Sequence, residues 1–461
     1  MARIGLLLLL AAALAGCATR RPYQAPQVAP AQLVNADPQL VSSQSFDARW
    51  WNQFEDPILE SLIDGALNAN HDIRVAVARL DQARAFFDQA SLDRFPRVPV
   101  NASAERRRQQ IPGFTTEAQT ISTYRLGFDA FWEIDVFGRV RSAVNAAAAN
   151  AESFDATLDD VRVTVAAEVA RNYFELRGYQ QQEAVATRSL ENQRETLRLT
   201  TVRRDAGIGE EQDVASAAAR VSAIESVLPP IRAAVAARAH RLAVLSGTRP
   251  GALQVDLSPR AYPVLAKVLA IGPPDEILRR RPDVRAAERS LAAAVGREGV
   301  AAADLYPRVT VTGFLGFLAG RGNIFGGGDS AAWSITPALS WAGLDLGSAR
   351  ARLRGAEALT VEAAVRYEQT VLLALEDVQN ALARYREQQR RLVSLLEQAR
   401  EGRRAADIAR VRYREGIIDF LSLLDAERTQ LQAEEAVAHA EAEVFTGVAA
   451  VYKGLGGVVE R

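Results

Sequence analysis

Hydrophobic positions along the chain follow two different periods. In residues 122–138, STYRLGFDAFWEIDVFG, Tyr124, Leu126, Phe128, Ala130, Trp132 and Ile134 alternate with Arg125, Asp129 and Glu133. A two-residue period is that of a strand with one apolar and one charged face. Three other stretches alternate in the same way. Their apolar sets are Val98, Val100, Ala102 and Ala104; Val309, Val311, Leu315 and Phe317; and Trp333, Ile335, Leu339 and Trp341. The pattern predicts strands over about 97–106, 120–135, 307–319 and 331–344, with polar loops over 106–119 and 320–329. Elsewhere the period is helical. Val161, Val165, Val169, Phe174 and Leu176 recur at helical spacing, as do Leu372, Leu375, Val378, Leu382 and Tyr385. Long helices are expected over about 139–205 and 349–415. At 1.5 Å per residue each would reach roughly 100 Å, more than a globular domain can use.

The two periods occur twice in the same order. FPRVPV starts at Phe95 and YPRVTV at Tyr306; Trp132 aligns with Trp341, and RRDAGIGEEQDV from Arg203 aligns with RYREGIIDFLSL from Arg412. The chain is therefore a tandem duplication. Each half reads as a helix, two strands, a very long helix, a glycine turn and a returning helix. Gly207-Ile208-Gly209 and Gly416-Ile417 mark the turns, and Pro229-Pro230 is expected to kink the first returning helix. The expected divisions are a leader over 1–16, a tether over 17–50, a first repeat over 51–247, a connector over 248–275, a second repeat over 276–450 and a C-terminal segment over 451–461. Pro282 and Asp283 suit the first turn of a helix.

The leader changes the picture of where the chain resides. Arg3, an apolar run from Ile4 to Leu14 and the small Ala15-Gly16 form a secretory signal peptide. Cys17, the only cysteine, follows in LAGC, which resembles the bacterial lipoprotein processing box, so a covalent lipid is expected on it. Ala18 in the next position resembles sorting to the outer membrane. Past the leader no segment offers the ~18 consecutive apolar residues of a spanning helix, so any membrane crossing is by strands.

Charge then assigns the strand faces. A basic side chain at the lipid midplane costs about 2–4 kcal/mol. Arg125, Asp129 and Glu133 are therefore expected on a water-filled interior, and Tyr124, Phe128, Trp132, Trp333 and Trp341 toward lipid. Trp132 and Trp341, just before the long helices, read as one aromatic girdle. Four strands leave two open edges, which lipid does not tolerate, and closed barrels start at about eight strands. Several copies must share one barrel; periodicity alone does not choose three over two. The competing reading is a periplasmic coiled-coil scaffold lipoprotein without a pore.

Other chemistry finds little support. With 55 basic and 56 acidic residues the chain is no nucleic-acid binder. His71, His240 and His439 lie far apart without zinc-site spacing, and Gly326-Gly327-Gly328 lacks the lysine and hydroxyl of a phosphate loop. Neither an enzyme, a metal site nor a cofactor beyond the lipid is expected.

LAGC, WWNQFEDPILESLIDGALNAN (50–70), VARNYFELRG (169–178), LRRRPDVRAAERSLAAA (278–294), RYREGIIDFLSLLDAERTQL (412–431) and VYKGLGG (451–457) together resemble the TolC-like outer membrane factor family. The likeness is to the NodT-type lipoprotein channels of resistance-nodulation-division efflux systems, and it runs over essentially the whole chain. The resemblance implies a mostly α fold with membrane β-strands. Three copies would form a twelve-stranded barrel in the outer membrane above a periplasmic α-helical barrel. It implies a homotrimeric exit duct served by a periplasmic adaptor protein and an inner-membrane pump. It also implies that Gly207, Ile208, Gly209, Glu210, Gly416, Ile417, Ile418 and Asp419 form the periplasmic tips that meet the adaptor and gate the pore. By trimer symmetry Asp205, Glu210, Glu211, Asp213 and Asp419 would form acidic rings that favour cations. Related channels often carry an acid two positions after the second tip glycine; here that place is Ile418, with Asp419 one later.

Overall fold

The computed structural model describes residues 23–26, 33–110, 113, 116–263, 265 and 268–457. The leader and the Cys17 lipidation site lie outside the described residues. The elements run β1 (Val41–Ser42), α1 (Pro57–Ala69), α2 (His71–Leu92), β2 (Val100–Gln109), β3 (Gln119–Ile134), α3 (Arg139–Asp205), α4 (Glu211–Leu245) and β4 (Leu269–Ala270). The second half continues with α5 (Pro274–Arg280), α6 (Pro282–Ala303), β5 (Arg308–Ala319), β6 (Ala331–Ser340), α7 (Leu346–Arg414) and α8 (Phe420–Gly454). Two compact units result. One comprises residues 23–26, 78–155 and 286–369, the other 33–77, 156–285 and 370–457. Each unit takes segments from both halves of the chain, so the sequence repeat and the compact units are different divisions of it.

The first unit is built on one four-stranded antiparallel sheet of order β2-β3-β5-β6. Strand β2 is set later than its alternation predicts, and Pro99 explains the shift. Arg97 exchanges two backbone hydrogen bonds with Phe131, of 2.8 and 2.9 Å, but Pro99 has no N–H and joins the ladder only by accepting from Asp129 N at 3.0 Å. Regular pairing resumes at Val100 and continues to Gln109, so Arg106, Arg107 and Arg108 stand in the strand and not in the loop that polarity alone predicts. Both strand-embedded prolines of the sheet region, Pro99 and Pro337, fall at its two edges, where a missing donor is tolerated. The helices below the sheet pack through small residues. A Cβ at Gly296 of α6 would lie 2.8 Å from the Ala146 backbone of α3. Ser153 of α3 meets Ser290 at 2.8 Å and donates to Ala286 O at 2.9 Å.

The second unit is helical, with one two-residue parallel sheet, β1-β4, in which Val41 and Leu269 are buried. Its core explains the WWNQF motif. Residues Trp50–Phe54 form a 3-10 turn whose aromatic rings are buried. Trp50 stacks on Tyr452 at 5.1 Å, and Phe54 meets Phe174 edge-on at 4.9 Å. Tyr262 from the connector stacks on Phe445 at 4.6 Å. Asp56 caps α1 by accepting from Ile58 N at 2.9 Å and also accepts from the Tyr173 hydroxyl. Arg177 is buried and donates to Gln180 at 2.9 Å and to the Ser258 carbonyl, pinning the connector to α3. Arg281, inside the RRRPDVRAAE motif, donates to Gly454 O at 2.7 Å and pairs with Asp283 at 2.6 Å. Burying these guanidinium groups is tolerated because each finds carbonyl or carboxylate acceptors. The Pro229-Pro230 pair does not interrupt α4, which is continuous through both.

Candidate functional site

Cross-strand register decides which side chains of the sheet share a face. Val100 sits opposite Phe128, Leu126 opposite Phe317, and Phe128 opposite Leu315. Trp132 lies opposite Val311, Leu315 opposite Trp333, and Val309 opposite Leu339. Paired residues of an antiparallel ladder point to the same side. All four alternating patterns therefore fall on one face, and from Val100 to Ala104 on β2 and across to Leu339 on β6 that face carries no charged residue; Arg106 and Arg108 follow only at its outer end. Several of its large side chains are solvent-exposed in the isolated chain, Phe128 by 52% and Trp333 by 75%, while Trp132 and Phe317 are half-buried. Tyr124 also lies on this face and packs against Phe325 of the β5–β6 loop.

The opposite face holds Asn101, Arg125, Asp129, Glu133, Thr310, Thr312 and Ser334. Arg125 and Asp129 are ion-paired, and Asn101 donates to Asp129 at 2.8 Å. The Arg125 guanidinium lies over the Phe314 ring at 4.3 Å. That ring also covers Gly127, whose added Cβ would lie 2.6 Å from it, so glycine is required there by space. Glu133 shares the polar face but accepts two 2.6 Å hydrogen bonds from Arg139. Asp135 caps α3 by accepting from Val140 N at 3.0 Å and Arg141 N at 2.8 Å. Glu133 thus joins strand to helix, while Arg125 and Asp129 remain the charged pair of the strand proper.

The two tryptophans at the helix end of the sheet repeat one geometry. Trp132 Nε1 donates to Arg94 O at 3.0 Å, and Trp341 Nε1 donates to Leu305 O at 2.9 Å. Each indole satisfies a carbonyl just past α2 or α6 and leaves its ring on the apolar face.

At the helix turns, Gly207 and Gly416 both adopt φ +73°. Ile208 N donates to Arg203 O at 3.0 Å, and Ile417 N donates to Arg412 O at 2.8 Å. This is the Schellman closure that a left-handed glycine permits. The isoleucines are presented to solvent, Ile208 by 68% and Ile417 by 61%. The next positions differ between the repeats. Gly209 approaches the Arg204 backbone, where a Cβ would lie 2.8 Å from its nitrogen; Ile418 instead packs against the cluster of Ala217, Tyr413, Phe420 and Leu423. Glu210 precedes α4 without a side-chain capping bond, whereas Asp419 caps α8 by accepting from Ser422 N at 2.8 Å. Hydrogen bonding from the Ser422 side chain, and then from its backbone N–H, holds the Asp419 carboxyl below its ordinary value. The Asp213 carboxyl is raised by burial and by Glu210, with Arg203 opposing. Arg203 binds the two turns together, donating to Tyr413 O at 3.1 Å and covering the Tyr413 ring at 5.0 Å. Arg204 pairs with Asp205 and Glu211.

Sequence reasoning missed Arg203, Arg139, Phe314 and Phe325. Arg203 closes a contact with Tyr413 from the other repeat, and Arg139 reaches back to Glu133 across the joint of strand and helix, pairings that neither period reveals. Phe314 breaks the alternation of β5, and that break was its signal. Among the described residues no cluster of three or more groups suited to a metal ion occurs, and no helix is long and apolar enough to cross a membrane.

Comparison with known proteins bears on this geometry as a whole. A family model described as "Outer membrane efflux protein" matches residues 62–248 and 274–457, one segment in each repeat. The chain is 31% identical over 456 residues to the antibiotic efflux pump outer membrane protein ArpC of Pseudomonas putida, covering 96% of this chain and 93% of that protein. It superposes on the solved outer-membrane channel OprN with TM-score 0.93 at 48% identity, covering 96% of this chain and 99% of that one. On the open state of the Neisseria gonorrhoeae MtrE outer membrane channel the TM-score is 0.83 at 28% identity, covering 95% and 99%.

Proposed function

The chain belongs to the outer membrane efflux protein family, and from that membership we propose a homotrimeric exit duct, lipid-anchored at Cys17, that receives its cargo through a periplasmic adaptor from an inner-membrane pump of the resistance-nodulation-division type. It is an outer-membrane component of efflux, as its relatives are. The observation that carries the reading is the sheet register, which collects every apolar alternation on one face, uncharged up to the level of Tyr124, and leaves both edges unpaired among the described residues. A lipid-facing surface needs the first property and forbids the second, so the edges must be closed by further copies. Arg125 and Asp129 then face the water-filled interior, and the Trp132 and Trp341 rings mark the periplasmic border. The paired helix turns, with Ile208 and Ile417 exposed, offer apolar contacts to an adaptor. Asp205 and Glu211 are matched by Arg204, and Asp419 keeps its charge as a cap, so the gate, in this reading, draws its charge from Glu210, Asp213 and Asp419.

Purified full-length protein in a planar bilayer should give discrete single-channel steps. A scaffold lipoprotein without a pore would give a silent membrane, and that outcome would end the channel reading.

A further inference from the structure

We propose that the outer end of the apolar sheet face binds the phosphorylated headgroup of an outer-leaflet lipid through Arg106 and Arg108. The inference rests on the lipid-facing assignment made above and adds a ligand to it.

The register supplies the geometry. Strands β2 and β3 stay paired out to Gln109 and Gln119, whereas β5 ends where Ala319 meets Tyr124. The β2–β3 ribbon therefore projects beyond β5 and β6. On the apolar side of β2 the outward order is Val100, Ala102, Ala104, Arg106, Arg108. Ala104 is level with Tyr124, and there Phe325 packs against both Tyr124 and Phe317. The aromatic cluster closes the apolar belt and the arginines begin immediately past it. At roughly 3.4 Å per residue, Arg106 and Arg108 stand about 7 and 14 Å beyond the tyrosine. The headgroup layer occupies about 5–8 Å outside each side of the hydrocarbon core, so the first arginine falls within it, and the second starts past its outer rim and reaches back to it through its long side chain.

Chemistry selects the headgroup. Arg106 and Arg108 are exposed, and neither has a hydrogen bond or ion pair among the described residues. Arg107, between them and on the polar face, pairs with Glu105 at 3.7 Å. Elsewhere in the sheet Arg125 is matched to a carboxylate, and so is Arg139 at its helix end. Two unmatched guanidinium groups on one face, two residues apart, suit phosphate, which accepts their forked N–H groups in pairs. The loop carrying Phe325 contributes the exposed Arg321.

The test uses the full-length protein in phosphatidylcholine nanodiscs doped with lipid A, either diphosphorylated or dephosphorylated. Retained lipid is counted by native mass spectrometry. The wild type should retain several-fold more of the diphosphorylated form. R106Q/R108Q should lose that preference, R106K/R108K should keep part of it, and R107Q should keep all of it. Millimolar inorganic phosphate should not displace the lipid. No preference in the wild type, an unchanged preference in R106Q/R108Q, or displacement by inorganic phosphate alone would each overturn the proposal. Quenching of Trp333 by brominated acyl chains, read against W333F, reports the facing independently. Quenching with inert arginines overturns only the headgroup site, whereas absent quenching, or loss of preference in R107Q alone, overturns the facing beneath it.

Discussion

Asp129 and Phe128 are neighbours in sequence whose environments the register separates completely. Asp129 accepts from Asn101 and pairs with Arg125, all on the polar face, while Phe128 lies between Val100 and Leu315 on the apolar one. Phe128 is also midway between Tyr124 and Trp132, so with the facing proposed above it would lie near the hydrocarbon centre. Phe128→Arg should cost about 2–4 kcal/mol per copy at that depth, and heat-modifiable oligomer in outer-membrane fractions should fall sharply. Asp129→Asn should leave assembly intact. It removes the partner of Arg125, so the reversal potential in a salt gradient should move toward anion selectivity. The opposite pairing of effects would mean that the faces are exchanged. Glu133 differs from Asp129 in where its partner sits, Arg139 of helix α3 in place of Arg125 of the same strand. A sequence reading by alternation alone places both acids in the same class, since the helix that supplies Arg139 is invisible to a two-residue period.

Elements were legible where a single period runs uninterrupted and less so where one residue type overrides it. The long helices α3 and α7 follow directly from helical spacing without proline. Strand β2 does not: Pro99 delays regular pairing at its start, and backbone pairing with β3 carries it through three arginines at its end. Polarity suggested a loop there because charge and ladder hydrogen bonding are independent constraints. At the helix turns the glycines were readable, but the division of labour was not, since Arg203 reaches across from one turn to the other. The two glycines offer a clean comparison. A Cβ at Gly207 meets nothing within 4 Å, and at Gly416 it meets only the Arg203 side chain at 3.9 Å. Substitution therefore tests the left-handed backbone alone. Gly207→Ala and Gly416→Ala should each lower stability by about 1–2 kcal/mol in reversible thermal or denaturant unfolding. A loss at only one turn would show that the repeats do not share the closure.

At the scale of the whole molecule the open question is how the two sheet edges are met. Strands β2, β3, β5 and β6 alternate in direction, so the first and last run opposite ways. The β6 edge of one copy can thus pair antiparallel with the β2 edge of the next, and the same contact repeated head to tail closes a ring. A two-fold dimer that pairs like edges would use a different contact and give eight strands in place of twelve. Engineered cysteines can decide between them, because Cys17 is the only native cysteine and lies far from these strands in sequence. Residues Asn101 and Ser103 of β2 and Ser334 and Thr336 of β6 all lie on the polar face. One cysteine on each edge of the same chain should yield, on mild oxidation in membranes, a denaturing-gel ladder that ends at three chains. A cysteine on β2 alone should not cross-link, since head-to-tail closure never brings two β2 edges together. A ladder stopping at two, or efficient β2–β2 cross-linking, would replace the trimer with a two-fold assembly, and the barrel would then be too narrow for anything but its own side chains.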